Sequence, residues 1–224
     1  MLCSRRFAQV IGIATKSVLM MMSLVVWGLG MLKMEDIVGL EVISADARVM
    51  GIVEGIGIDV DEWKIPALRI ALKKGVEEAI GMKKPLFSSA KLYLKTSGVE
   101  SISDTITLNP DLRDVKSLAV EQGMVLMTAA DVLGKRVICK KARQIGVADN
   151  IIFTPDKEWG VPYIEIKLDK TAVDDLNVKK PLLSSPIIRI QTSDVKTIGD
   201  MIMLKIDIEE LSDFLEKKPT ARKW

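Results

Sequence analysis

The side chains that could do chemistry are few, and most of them come in pairs. No histidine occurs among the 224 residues, which removes His-dependent triads, most zinc enzymes and the usual proton shuttle at neutral pH. The nearest approach to a nucleophile is serine close to lysine: Lys83-Lys84 precede Ser88-Ser89, and Lys179-Lys180 precede Ser184-Ser185. A lysine can activate a serine hydroxyl. Neither stretch has a third orienting group or an oxyanion motif, however, and a proline-punctuated entry to a strand accounts for the pattern better. Carboxylates gather as Asp59, Asp61 and Glu62 before Trp63, and as Asp156 and Glu158 before Trp159. Such oxygens can hold calcium or magnesium, but the EF-hand spacing is missing and Lys64 and Lys157 interrupt the charge, so solvated hairpin tips are expected. Gly51, Gly55 and Gly57 are not in GxGxxG order and read as places of strand bending and close backbone packing. Cys3 and Cys139 form no CxxC site or disulfide framework, and Cys139 reads as a small apolar strand residue. No catalytic residue, metal ligand or cofactor site is assigned.

Two tryptophans stand out. Aromatic residues make up 4% of the chain, yet two of its four tryptophans, Trp63 and Trp159, sit at matching positions before Pro66 and Pro162. Each either covers its own domain or contacts a partner; they are the candidate partner-binding residues. Arg48 and Arg143 are read as turn residues.

What must position these residues is a duplication. Asp36-x-x-Gly39 matches Asp131-x-x-Gly134, and Ala47-Arg48-x-x-Gly51 matches Ala142-Arg143-x-x-Gly146, at a spacing of 95 residues. After one insertion the spacing is 96: Trp63-x-x-Pro66 matches Trp159-x-x-Pro162, Thr96-Ser97 matches Thr192-Ser193, and Ile102-x-Asp104 matches Ile198-x-Asp200. The chain therefore divides into an apolar segment over 1–30, a first copy over 31–123, a second over 124–218 and a basic tail over 219–224. Within a copy the alternation predicts short strands: 41–44, 52–59, 68–72, 91–95 and 105–108 in the first, with 136–140, 147–154 and 164–168 in the second. A short helical turn is expected before each Lys-Lys-Pro element. An amphipathic helix should follow each set of strands, capped by Asn109-Pro110 in the first copy and by Asp207 with Glu210 in the second. Many short strands in so small a unit predict a small barrel. The expectation is thus a mainly β protein of two tandem small β-barrels related by pseudo-two-fold symmetry, each followed by an amphipathic helix.

Composition narrows the function. Hydrophobic residues at 48% and charged residues at 28% support a packed core, and a net charge of +2 lacks the strong basic excess of a dedicated nucleic-acid binder. The run Ser17–Leu32 is 16 residues of apolar character, a little short of the roughly 20 that a spanning helix needs. A membrane anchor, a signal segment and an upstream start-site extension all fit it.

The duplicated pattern resembles the PRC-barrel family, on Asp36-x-x-Gly39-x-x-Val42, Gly51-x-Val53, the Trp63 loop and Ile102-x-Asp104, with Asp131-x-x-Gly134-x-x-Val137 and Gly146-Val147 in the second copy. Tandem copies of this composition look most like archaeal PRC-barrel proteins implicated in cell division. The resemblance implies a non-enzymatic adaptor in the cytoplasm, at the inner face of the membrane, working with a SepF-like division protein and through it the FtsZ ring. It also implies homo- or hetero-oligomers with other PRC-barrel proteins, and membrane association through residues 17–32 or through the partner. The alternative, from another group of the family, is an RNA-processing or ribosome-assembly factor, against which the near-neutral charge counts.

Overall fold

The computed structural model describes residues 30–82, 90–120, 126–178 and 185–216, with side chains to residue 212. Residues Leu32–Trp224 form one compact unit, separate from Met1–Met31. The serine–lysine stretches and the basic tail lie outside the described residues, apart from Ser185, as does nearly all of the apolar N-terminal run. Among the described residues no helix is long and apolar enough to cross a membrane.

Each copy builds a curved sheet of its own six strands. The first uses β2 (Glu41–Ile43), β3 (Val49–Asp59), β4 (Lys64–Leu72), β5 (Lys91–Lys95), β6 (Val99–Ile102) and β7 (Thr105–Leu108), in the order β5-β4-β3-β2-β7-β6. The second repeats it with β9 (Arg136–Ile138), β10 (Gln144–Phe153), β11 (Tyr163–Leu168), β12 (Ile187–Gln191), β13 (Val195–Ile198) and β14 (Ile202–Leu204). Neighbours pair antiparallel except β2 with β7 and β9 with β14, which are parallel in both copies. The result is mainly β and fits two tandem barrel-like modules.

The seventh strand of each sheet comes from the other copy. β1 (Leu32–Lys33), which opens the first copy, pairs with β10, Leu32 opposite Phe153 and Lys33 opposite Ile152. β8 (Met127–Thr128), which opens the second, pairs with β3, Met127 opposite Ile58 and Thr128 opposite Gly57. These registers are the same once the repeat spacing is subtracted, so the exchange is reciprocal and pseudo-symmetric. The repeat motif explains how each short strand ends. Asp36 accepts the Lys33 N–H at 2.7 Å and Asp131 accepts the Thr128 N–H at 2.8 Å. Gly39 and Gly134 then turn the chain with φ of +95° and +77°, a region where a side chain is strained.

Inside, the two copies share one apolar core. Met50, Val53, Ile56, Ile58, Leu68 and Ile70 of the first copy join Ile145, Ile151, Phe153, Ile164 and Ile166 of the second. The close approach expected of Gly51 is observed in both copies. A Cβ there would run into the Ala71 carbonyl, and one on Gly146 into the Lys167 carbonyl. The strand bends expected near Gly55 are bulges: the β3–β4 register shifts between Val53 and Gly55, and the β10–β11 register between Ala148 and Asn150.

The small helices are α1 (Met34–Ile37), α2 (Val76–Ala79), α3 (Lys170–Asp175) and α4 (Ile208–Glu216). The helix expected after the first barrel is instead a 3-10 helix over Leu112–Leu118, entered from Asp111 rather than Asn109. Its exit is drawn off into an extended strand contact, where Ala119 bridges Leu94. The second copy makes the α-helix α4, and Glu210 reaches back to the Asp207 N–H at 2.8 Å as the capping pattern implies.

Candidate functional site

The two tryptophan loops meet each other. Lys64 and Gly160, which occupy the same position in the two copies, form an antiparallel bridge. Around them the Ile65 N–H donates to the Trp159 carbonyl at 2.9 Å and the Val161 N–H to the Trp63 carbonyl at 2.7 Å. Each copy therefore presents the same surface to the other, as in an isologous dimer interface, and the pseudo-two-fold axis passes between Lys64 and Gly160. Both tryptophans hold the left-handed backbone conformation, φ +53° at Trp63 and +50° at Trp159. That is costly for a bulky residue, and the cross-copy hydrogen bonds and the preceding Asx turns hold it. Asp59 accepts the N–H groups of Asp61 and Glu62, and Asp156 those of Glu158 and Trp159. A buried threonine hydroxyl completes each side: Thr96 Oγ1 donates to the Ile65 carbonyl at 2.8 Å and Thr192 Oγ1 to the Val161 carbonyl at 2.7 Å.

The acidic loops thus face one cation. Lys64 Nζ lies 2.8 Å from Glu158 and 3.2 Å from Glu62, and these contacts, Glu158 first, hold its pKa above the ordinary lysine value. Among the described residues no group of acids or cysteines is placed to hold a metal ion.

The tryptophans themselves are not equivalent. Trp159 is 5% exposed and its ring stacks on Phe153 with centroids 5.6 Å apart and planes within 9°. The first copy has Ile58 in place of Phe153, and Trp63 stays half-buried against the core. Of the two candidate partner-binding residues, Trp63 is the more exposed and Trp159 is buried. Cys139 is buried.

The outer sheet faces are where the copies diverge. In the first, a cross-strand row runs Thr105, Glu41, Ile52, Ala71, Lys91, with Ile52 46% exposed. The matching row of the second is Arg136, Val147, Lys167, Ile187, with Ile187 48% exposed. An acid gives way to arginine, alanine to lysine, and lysine to isoleucine. Ion pairs beside these rows differ too. In the first copy Glu54 is held by Lys91 at 2.8 Å and Arg69 at 3.2 Å; the Lys91 hydrogen bond outweighs partial burial and keeps its pKa low. In the second, Glu165 is only 4% exposed and lies 3.2 Å from Arg189 Nε and 3.0 Å from Lys33 Nζ, the lysine arriving on the exchanged strand. Its hydrogen bond and charge raise the Lys33 pKa. Glu165, Arg189 and Lys33 were not among the candidate residues. The available signal was the change from Arg69 and Tyr93 to Glu165 and Arg189 at matched positions.

The fold and its seam define a class: a tandem pair of small β-barrel modules locked by reciprocal strand exchange, with two unlike outer faces. No family model matches the chain, and no curated protein matches it in sequence. Among solved structures the chain is similar to a Pseudomonas aeruginosa protein described as the 16S ribosomal RNA processing protein RimM. The identity is 9% and the TM-score 0.26, over 70% of this chain and 98% of that one.

Proposed function

We propose that this protein is a non-enzymatic scaffold that binds other macromolecules through its two outer sheet faces. The observation that carries the reading is where the copies differ. The glycine pairs Gly39/Gly134 and Gly51/Gly146, the capping aspartates and the backbone bonds of the seam match position by position. The solvent-facing rows around Ile52 and Ile187 have exchanged charge and apolar character. Faces of unlike chemistry on one rigid body suit the joining of unlike partners. The finer reading, a division adaptor for a SepF-like protein and the FtsZ ring at the inner face of an archaeal membrane, rests on the family resemblance of the duplicated motifs. Trp63 and Trp159 remain its proposed contact residues, with Trp63 the more accessible.

A second reading is favoured by the charge of the second face. Arg136, Lys167, Arg189 and Lys33 lie on or beside it, and a basic surface of this kind suits RNA phosphates. Ribosomal RNA processing is also what the similar Pseudomonas protein is described as doing. The two readings separate in one experiment: capture from an archaeal lysate on the full chain, with a salt wash. Enrichment of SepF-like protein or FtsZ that survives salt supports the adaptor. Enrichment of ribosomal proteins and RNA that salt removes supports the second reading and overturns the first.

A further inference from the structure

One edge of each sheet is treated differently by the two copies. In the first, β5 is already covered: Leu94 bridges Ala119, and the Val120 N–H donates to the Tyr93 carbonyl at 2.9 Å. The covered strand also carries lysine at each end, Lys91 and Lys95, a residue type that discourages stray pairing at sheet edges. The matching strand β12 has lost both devices. Leu215, the counterpart of Ala119, lies in α4, whose backbone groups bond within the helix. No described residue pairs with the outer side of β12. Lys91 and Lys95 correspond to Ile187 and Gln191, and Ile187 is 48% exposed.

The register shows which groups are left open. The Leu168 N–H donates to the Pro186 carbonyl at 2.9 Å, and Ile166 and Ile164 stand opposite Ile188 and Ile190. Antiparallel alternation then turns the backbone groups of Ile188 and Ile190 toward β11, and those of Ile187, Arg189 and Gln191 outward.

We infer that β12 is a docking edge that takes up, as an added strand, an extended segment of a partner protein in which apolar residues alternate with acidic ones. The inference rests on the scaffold reading and names its contact. Main-chain bonds to Ile187, Arg189 and Gln191 supply the pairing. Arg189 on β12 faces the added strand and selects an acid there while it also pairs with Glu165, and exposed Lys167, one strand further back on β11, adds to the positive field of the edge. Exposed Ile187 selects an apolar neighbour. Residues 217–224 carry four cations and no acid, so the chain's own tail mismatches this edge. A second copy paired two-fold through all three outward residues would set Arg189 against Arg189, which is repulsive.

The test uses the full chain and a short fluorescein-labelled peptide alternating valine with glutamate, with a valine–lysine peptide as control, read by anisotropy. Gln191→Pro is the blocking variant. Gln191 has φ −66°, which proline adopts, and its outward N–H is not used in the β11 ladder. The expected result is saturable binding of the acidic peptide, weaker binding of the lysine peptide, and an affinity lower by about tenfold or more in Gln191→Pro at an unchanged melting temperature. No binding, equal binding by Gln191→Pro, or tighter binding of the lysine peptide overturns the proposal. So does sedimentation showing a dimer that Gln191→Pro dissociates and the peptide leaves intact, which would give the edge to a second copy. Failure of the scaffold reading is separate: it falls if lysate capture returns neither a salt-resistant protein nor RNA, whatever the peptide does. A lysate partner held equally by Gln191→Pro keeps that reading and overturns the docking edge.

Discussion

The two copies solve the same junction with opposite charges. Where the β2–β3 turn of the first meets the segment after β7, the acceptor is on the turn: Asp46 takes the Leu112 N–H at 3.0 Å and the Ser44 hydroxyl at 2.6 Å. In the second copy the turn carries Lys141, and the acceptor has moved across to Asp207, which takes the Lys141 N–H at 3.2 Å and pairs with its ammonium at the same distance. The backbone bonds beside them do not change: Ala45 N–H to the Pro110 carbonyl and Lys140 N–H to the Ile206 carbonyl, at 3.0 and 2.9 Å. Drift after a duplication is thus free wherever a pair of side chains can be exchanged as a unit. The backbone contact itself is kept even where the residues that make it change, as from Ala45 to Lys140 and from Pro110 to Ile206. The same rule separates the backbone bonds of the seam and the close-packed Gly51 and Gly146, which match, from the outer faces, which do not.

The sharpest break in the symmetry is at the tryptophans. Trp159→Ala removes a buried ring stacked on Phe153 and should cost about 3–5 kcal/mol. Trp63→Ala, at a half-buried ring with no aromatic partner among the described residues, should cost clearly less. Chemical denaturation of both variants checks this, and equal losses would mean that the seam weights its halves alike. Next in size, Gly51→Ala and Gly146→Ala should each cost about 3 kcal/mol, because the carbonyl in the way belongs to the neighbouring strand and cannot yield without breaking the ladder. Here the comparison demands equality; a tolerated change in one copy would show that its sheet relaxes.

The ion pairs come third. Glu165→Ala strands Arg189 and Lys33 around a buried site and should cost about 2 kcal/mol, below the usual loss for a broken buried pair because both cations can turn toward solvent. Glu54→Ala, at a more open position, should cost about 1 kcal/mol or less. Urea melts of the two variants rank them, and the reverse order would place the tighter network in the first copy.

Much of this was legible in the sequence and some was not, for physical reasons. The longer strands show their alternation, and Gly51 announced a close approach, whereas the four-residue strands Val99–Ile102 and Val195–Ile198 carry too little pattern to be placed. The exchanged strands Leu32–Lys33 and Met127–Thr128 are too short to have a period. The matched tryptophans signalled something shared, but not that one loop pairs with the other, since self-pairing across an axis leaves no mark in a linear pattern. Ala47, Ala142, Trp63 and Trp159 all take positive φ, where glycine or asparagine is the usual cue. The unguarded edge was readable: aligning Lys91 with Ile187 and Lys95 with Gln191 shows its guards removed.

The smallest effect, and the finest probe of the comparison, is the junction itself. Ser44 first, then the Leu112 N–H and Arg48, hold the Asp46 pKa below the ordinary carboxylate value. At Asp207 burial works the other way, but Lys141 and Cys139 outweigh it and the pKa is again lowered. A depressed carboxylate contributes stability above its unfolded pKa, near about 3.9 for Asp. That contribution is lost as pH falls through the lower folded value. Lys141 has the opposite sign: Asp207 chiefly raises its pKa. Its contribution is complete below the unfolded lysine value and disappears as pH rises through the folded one. Asp46→Ala should therefore lower the melting temperature at neutral pH and flatten the acid limb of stability against pH. Asp111 already stands where the second copy has Asp207, so Asp46→Lys rebuilds the second junction in the first copy. It should lose less than Asp46→Ala and gain an alkaline limb of its own. Thermal melts of the two variants across pH decide the matter. A lysine no better than alanine would mean that the junctions are held by their surroundings, and that the charge exchange is not the unit in which these copies diverged.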